Sequence, residues 1–347
     1  MKTGHRLFAL LAIAVLISLA TGGGAAPLGA APRTAAAALL APGGAEVAAP
    51  ETSAGAPPAQ SQLRVGLLPI TANLDLFYAR EQGYFTEAGI SAELTPMAGG
   101  AEILPALIGG SLDVGTVNSV THILAADQGF RAKAVASPTV QGRGPPVHAI
   151  LVRADSPIQS APELEGRTMA TNTLNNIDHV MQQVWIRQRG GDPRRVNFIE
   201  VPFPQMAAAL AQSRVDAIGP TEPFVTVAQG QGARVLAYHY KDVNDVTLLA
   251  YYGATEDWLA RNGDLARRLQ QVAKRANDYL YANPDEQRAA AVRLLNMNAD
   301  LASRVAFPDI LTRLDPALLQ WWIDTLRSFN LISSSPNPRE MIYETVQ

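Results

Sequence analysis

An α/β fold of two similar lobes is what this sequence predicts, and three observations carry it. Extended apolar runs alternate with helical periodicity, and a fourteen-residue segment recurs further along the chain. The 285 residues from 63 to 347 also have a globular composition and suit two lobes better than one core.

LRVGLLPI (63–70), closed by Pro69, reads as a buried strand, and 74–82 has helical spacing that ends on Gly83 as a C-cap. ISAELTPM (90–97) alternates as a second strand. A helix at 101–108 stops at Gly109-Gly110, and LDVGTVNS (112–119) is a third strand. A helix at 122–128 and a strand at 132–137 follow, the signature of parallel α/β units.

The repeat sets the number of lobes. ALIGGSLDVGTVNS (106–119) aligns with ALAQSRVDAIGPTE (209–222) at an offset of 103 residues, pairing Asp113 with Asp216 and Asn118-Ser119 with Thr221-Glu222. The same offset sets 65–71 beside 168–174. Solenoid units are far shorter than this interval. VHAILVR (147–153) and VTLLAYYGA (246–254) are extended apolar runs, read as two crossover strands that form a hinge. The expected organisation is a first part of lobe 1 at 63–152, lobe 2 at 153–248, and a return at 249–347 whose helices, including 264–281 and 316–329, complete lobe 1. Trp185, Trp258, Trp321 and Trp322 fall at helical spacing and are read as core.

Ahead of the lobes, 1–24 begins with Lys2, His5 and Arg6 and continues with fourteen uncharged residues, LFALLAIAVLISLA, where a membrane span needs about 20. It reads as an export signal with cleavage candidates near Ala25 and Ala30, or as a retained N-terminal anchor. Residues 25–62 are mostly Ala, Gly, Pro, Ser and Thr with no aromatic, a composition that cannot offset its ordering entropy, so a disordered tether is expected.

From residue 63 onward 29 Asp+Glu outnumber 25 Lys+Arg, with no basic block, so nucleic acid and anionic membranes are not expected partners. The chain has no cysteine, which excludes disulfides, thiol catalysis, thiolate metal sites and anchoring through a lipidated cysteine. His5, His122, His148, His179 and His239 are scattered, with no pair at metal-ligand spacing. GGSLD at Ser111 lacks the closing glycine of a nucleophile elbow, and GRGPPV at Gly142 has prolines where a nucleotide-binding helix would open. No catalytic set, cofactor site or metal site is read, and the chain is expected to be a binder.

Ligands of open α/β sheets bind outside the carboxyl ends of the strands. Loops there offer Thr71, Asn73, Asn118, Ser119, Thr139 and Gln141 in lobe 1, and Thr171, Asn172, Thr173, Asn175, Thr221 and Glu222 in lobe 2. These neutral donors and acceptors suit a polar uncharged ligand. Each taken singly also suits a turn or a helix cap. Tyr251, on the returning run, is expected to stack on a flat ligand. Asp113 and Asp216 precede their strands, at the opposite end, and are read as tying helix–strand turns. Glu222 has two readings, since Pro223 suits the first position of a helix: a carboxylate capping that helix, or an acceptor for ligand N–H groups. The second places it in the site.

RVGLLP, AREQGYFTEAGI, ALIGGSLDVGTVNS, LVRADSPIQSAPELEGRTMAT and ALAQSRVDAIGPTEPF, in this order and spacing, resemble the periplasmic substrate-binding proteins of ABC importers. The nearest branch contains aliphatic-sulfonate and taurine, nitrate, and thiamine-pyrimidine-precursor binders. The resemblance implies a two-lobed periplasmic-binding-protein fold of type II-like character, with helical C-terminal segments packed on lobe 1. It further implies an exported monomer, periplasmic or at the cell surface, that closes on a small solute and delivers it to a permease subunit with its ATPase. It also places Glu222 to Phe224 at a cleft-facing loop. With amides, hydroxyls and a carboxylate on offer and Arg143 the only nearby cation, a neutral nitrogen heterocycle such as a thiamine pyrimidine precursor or riboflavin is expected over a sulfonate or nitrate. A related pyrimidine synthase uses a histidine in the first-strand loop and a cysteine-rich motif; here Asn73 stands near that position and there is no cysteine. A sensory module that binds solute and docks a receptor is a third possibility.

Overall fold

A computed structural model describes residues 60–343. The expected export signal and most of the expected tether lie outside the described residues. Eleven strands are present among them: β1 (Ser61–Leu67), β2 (Ile90–Pro96), β3 (Val114–Asn118), β4 (Ala132–Gln141), β5 (Ile150–Arg153), β6 (Thr168–Thr171), β7 (Asn197–Glu200), β8 (Ala217–Ile218), β9 (Ala233–Ala237), β10 (Thr247–Thr255) and β11 (Asp309–Ile310).

They form two sheets, ordered β2-β1-β3-β10-β4-β11 and β7-β6-β8-β5-β9. β1 pairs in parallel with β2 and β3, and β6 pairs in parallel with β7 and β8. In each sheet, one antiparallel strand lies beyond the last of these three: β10 between β3 and β4, and β5 between β8 and β9. These inserted strands are the first the chain makes after changing lobes. The two expected crossover strands are therefore sheet members. The boundary expected at 152/153 moves ahead of Ile150, with 142–149 forming the link, and the return boundary moves ahead of Thr247.

The repeat is correct in position but slips by one residue in its first strand. Asp113 accepts from the Arg64 backbone N–H at 2.8 Å, and Asp216 accepts from the Thr168 backbone N–H at 2.9 Å. Val65 faces Val114, and Met169 faces Ala217. The equivalent residues of β1 and β6 thus lie 104 apart, whereas those of β3 and β8 lie 103 apart. A one-residue slip exchanges the faces of a strand, so the side chains of 65–71 and 168–174 do not correspond as aligned. Both aspartates do tie their strand starts, as read from the sequence.

Helix Gly263–Ala282 buries Leu265, Ala266, Leu269, Val272, Ala273, Ala276 and Leu280, an i, i+3/i+4 stripe that packs on helix Leu74–Glu81 and β4. Trp322 of helix Pro316–Ser328 is fully buried and donates its indole N–H to the Leu248 carbonyl at 2.8 Å. The C-terminal helices thus complete lobe 1 as expected. β11 interrupts them by pairing with the edge of β4. Trp185 and Trp258 are buried, and Trp321 is partly buried.

One apolar cluster continues from Leu68, Ile70 and Leu249 of lobe 1 into Ile177, Val180 and Phe203 of lobe 2. The lobes are closed on one another. Gly99 of lobe 1 approaches Asn172 of lobe 2 so closely that a Cβ there would lie 2.8 Å from Asn172 Oδ1.

Candidate functional site

The strand ends of the two lobes enclose a cavity of about 70 Å³. Leu68, Ile70, Thr71, Thr116, Asn118, Thr139, Leu249 and Ala250 wall it from lobe 1. His148, Asn172, Asn176, Asp178, Phe203 and Thr221 wall it from lobe 2 and the link into it. Five of the sequence-predicted residues, Thr71, Asn118, Thr139, Asn172 and Thr221, meet here.

The other predicted residues do not face the cavity, and each has a physical reason. The Asn73 amide donates to the Leu68 carbonyl at 3.0 Å and holds the first loop. Ser119 donates to the carbonyls of Leu248 and Leu249, fastening helix Ser119–Asp127 to β10. Gln141 accepts from the Val147 N–H at 2.8 Å and ties the link between lobes. Thr171 is fully buried beneath the site, Thr173 donates to Asn172, and Asn175 is an exposed turn residue at φ 60°. Tyr251 is in the core of lobe 1, with its hydroxyl 2.6 Å from His122 Nδ1, and cannot stack on a ligand in the cleft. Arg143 is not among the lining residues; its carbonyl accepts from Lys241.

Glu222 is 3 % exposed and also turns from the cavity. It accepts from the Thr226 N–H at 3.1 Å and the Thr226 hydroxyl at 2.7 Å, in the first turn of helix Phe224–Gly230. It also accepts from the Ala306 N–H of lobe 1 at 3.5 Å, while its carbonyl accepts from Thr71 N–H at 3.4 Å. The ligand-holding reading gives way to a cap that joins the lobes. Burial pushes this carboxyl up to about 7, opposed by the Thr226 bonds.

The charge-bearing groups of the cleft are ones that sequence reasoning missed. Asp178 lies in the first turn of helix Ile177–Gln188 and is 3 % exposed. It accepts from the Tyr240 hydroxyl at 3.0 Å, and His148 Nε2 is 3.4 Å away. Burial raises the Asp178 carboxyl to about 7 and lowers the His148 imidazole to about 3. His239 packs edge-on to His148 and is likewise held neutral by burial. His148 Nδ1 and Thr116 Oγ1 are buried on the cavity wall without a hydrogen-bond partner. Buried polar atoms are ordinarily paired, so these two leave hydrogen-bonding capacity open on the cavity wall. The available signal was the Asn176-Ile177-Asp178 helix start directly after a strand end; nothing in the sequence marked His148.

Three of the helix starts at the cleft carry their own acceptors. Asn118 Oδ1 accepts from Thr121 N–H and Asn176 Oδ1 from His179 N–H, each at 2.9 Å, and Glu222 serves the third helix. These are the places where helix dipoles would otherwise draw an anion. Helices Gly100–Ile108 and Phe203–Ala211, and the short turn of helix Thr71–Asn73, begin there without a side-chain cap. No Lys or Arg is among the lining residues. A larger cavity of about 220 Å³ lies between β4 and helix Gly263–Ala282. Its Asn277 and Ser137 are already bonded to Asp75, so its polar wall is spent on the core.

The sequence profile described as NMT1/THI5 like matches residues 71–287. The chain belongs to the NMT1/THI5-like family. The matched stretch of the family profile runs from the first strand-end loop through all of lobe 2 and helix Gly263–Ala282. Among curated relatives, a protein named as an ABC transporter periplasmic binding protein, from Brachyspira hyodysenteriae, is 25 % identical over 189 residues. That alignment takes in 50 % of this chain and 53 % of the relative, so the chain spans about half the length of the curated relative it matches. Two solved structures share the fold. The periplasmic aliphatic sulphonate binding protein SsuA from Escherichia coli is 22 % identical with a TM-score of 0.66, covering 83 % of this chain and 93 % of that one. The alkanesulfonate-binding protein SsuA from Xanthomonas axonopodis pv. citri, bound to MOPS, is 18 % identical with a TM-score of 0.70, covering 83 % and 99 %.

Proposed function

We propose that this chain is the extracytoplasmic solute-binding component of an ABC import system. In this reading it is exported, is not lipidated through cysteine, works as a monomer and passes its solute to a permease with its ATPase. The cavity walled by both lobes, with unpartnered buried polar atoms on its surface, is the observation that carries it. Contacts made to both lobes would favour the closed arrangement over an open one, and closed lobes are what a permease would recognise. The family and the printed name of the curated relative support the same reading.

Within that reading the solute is a nitrogen heterocycle or similar N–H-bearing molecule rather than an anion. The absence of Lys and Arg among the lining residues, a buried carboxyl, and the capped starts of helices Ser119–Asp127 and Ile177–Gln188 disfavour negative charge. A cavity of about 70 Å³ is smaller than the ~150 Å³ that holds benzene, so it disfavours riboflavin, and a single pyrimidine-sized ring would enter only with the lobes opened somewhat further. The uncapped start of helix Gly100–Ile108 favours one alternative, a sulfonate or nitrate bound through backbone N–H groups. A thermal-shift screen of pyrimidines, flavins, sulfonates and nitrate decides between them. Stabilisation by aminopyrimidines is expected; stabilisation by sulfonates alone would reverse the choice of solute.

A further inference from the structure

We propose that the solute is positively charged when bound, as an amidinium-like N–C–N edge or protonated amine, with Asp178 as its counter-ion and His148 as a neutral acceptor beside it. The proposal rests on the solute-binding reading and adds a charge class to it. Asp178 is the one carboxylate on the cavity wall among the described residues, and no Lys or Arg shares that wall. The groups packed around it are Tyr240 and His239 from helix His239–Val243 and His148 from the link into β5. None of them is a cation at neutral pH, because burial keeps both imidazoles unprotonated.

A carboxylate in such a place is costly unless something positive or strongly donating meets it. Tyr240 supplies one hydrogen bond, to Oδ1. With the Nε2–H of His148 turned to Asp178, its Nδ1 is left as a lone-pair acceptor, the atom that has no partner. A planar cation with two N–H groups on one edge meets both: one donates to Asp178 and the other to His148. An anion would face a carboxylate and a lone pair, and its attraction to the cleft's helix starts is already blunted by Asn118 and Asn176.

Acetamidinium, acetamide, acetate and nitrate are planar and close in size, and they differ in charge. Binding of each to the full chain is followed at pH 7.5 by ligand-observed NMR. Acetamidinium is expected to bind at least tenfold more tightly than acetamide, with acetate and nitrate silent. Asp178→Asn should abolish that preference. A cooperative melting transition of Asp178→Asn guards against a folding defect, and Asp178→Glu, which keeps the charge, should retain the preference for acetamidinium over acetamide. Acetate or nitrate binding ahead of acetamidinium overturns the charge assignment and leaves the solute-binding reading standing. Equal binding of acetamidinium by the parent and Asp178→Asn, or silence toward all four probes, also overturns it. A screen in which no solute of any class stabilises the chain would instead sink the solute-binding reading itself.

Discussion

The two copies of the repeat end on loops that divide the same work differently. In lobe 1 a single residue, Asn118, both faces the cavity and caps helix Ser119–Asp127. In lobe 2 the matching pair splits these tasks: Thr221 faces the cavity, while Glu222 serves the first turn of helix Phe224–Gly230 and reaches across to Ala306 of lobe 1. Equivalent backbone positions therefore do not carry equivalent functions. What the repeat preserves is the sheet order and the aspartates that tie strand starts.

The comparison is broken most strongly at Glu222. Glu222→Ala leaves the Thr226 and Ala306 N–H groups buried without their acceptor, and a loss of about 1–3 kcal/mol is expected in denaturant unfolding. Asn118→Ala removes one cap and should cost less, about 1 kcal/mol. A larger loss at Asn118 than at Glu222 would mean that the two loops are not divided as described.

A pH series sharpens the contrast between the lobes, because the titrating pair of the cleft belongs to lobe 2. Burial holds the Asp178 carboxyl at about 7, above its ordinary 3.8. Between those values the folded chain keeps a proton that the unfolded chain has lost. The stability this group contributes is therefore full below about 3.8 and is lost as pH rises through about 7. Asp178→Asn removes that dependence, so its melting temperature relative to the parent should climb from pH 5 to pH 8. The neutral buried histidines act in the opposite direction in both proteins and largely cancel in the difference. A gap that shrinks over this range would contradict the burial argument.

Asn175 gives the smallest effect. It is exposed at φ 60°, a region glycine adopts freely, and Asn175→Gly should change stability by no more than about 0.5 kcal/mol and leave solute binding untouched. A loss of binding in that variant would return this residue to the site.

The contrast also shows what could be read from the chain alone. β3 and β10 are almost wholly buried, β1 is buried over its last three residues, and these announce themselves as apolar runs, as helix Gly263–Ala282 does through its stripe. β7 and β9 are half-buried edge strands, NFIE and ARVLA, with too little contrast in polarity to be noticed. Position at strand ends found Thr71, Asn118, Thr139, Asn172 and Thr221, because strand ends are local. It could not find Asp178 and His148. Tyr240 and His239, which pack against them, come from a helix about sixty residues beyond Asp178 and about ninety beyond His148, and pack there only once lobe 2 has folded. Glu222 misled for a related reason: its partner Ala306 is 84 residues away and belongs to the other lobe.

The central claim is that solute is captured between the strand ends of the two lobes, against Asp178 and His148. A crystal structure of the chain with the most stabilising compound of the thermal-shift screen tests it directly. Density is expected between Thr139 and Asn172, with a ligand nitrogen within hydrogen-bond distance of Asp178 or His148 Nδ1. Density beside Asn277 in the lobe 1 cavity, or an anionic group seated on the start of helix Gly100–Ile108 with Asp178 left untouched, would contradict the account.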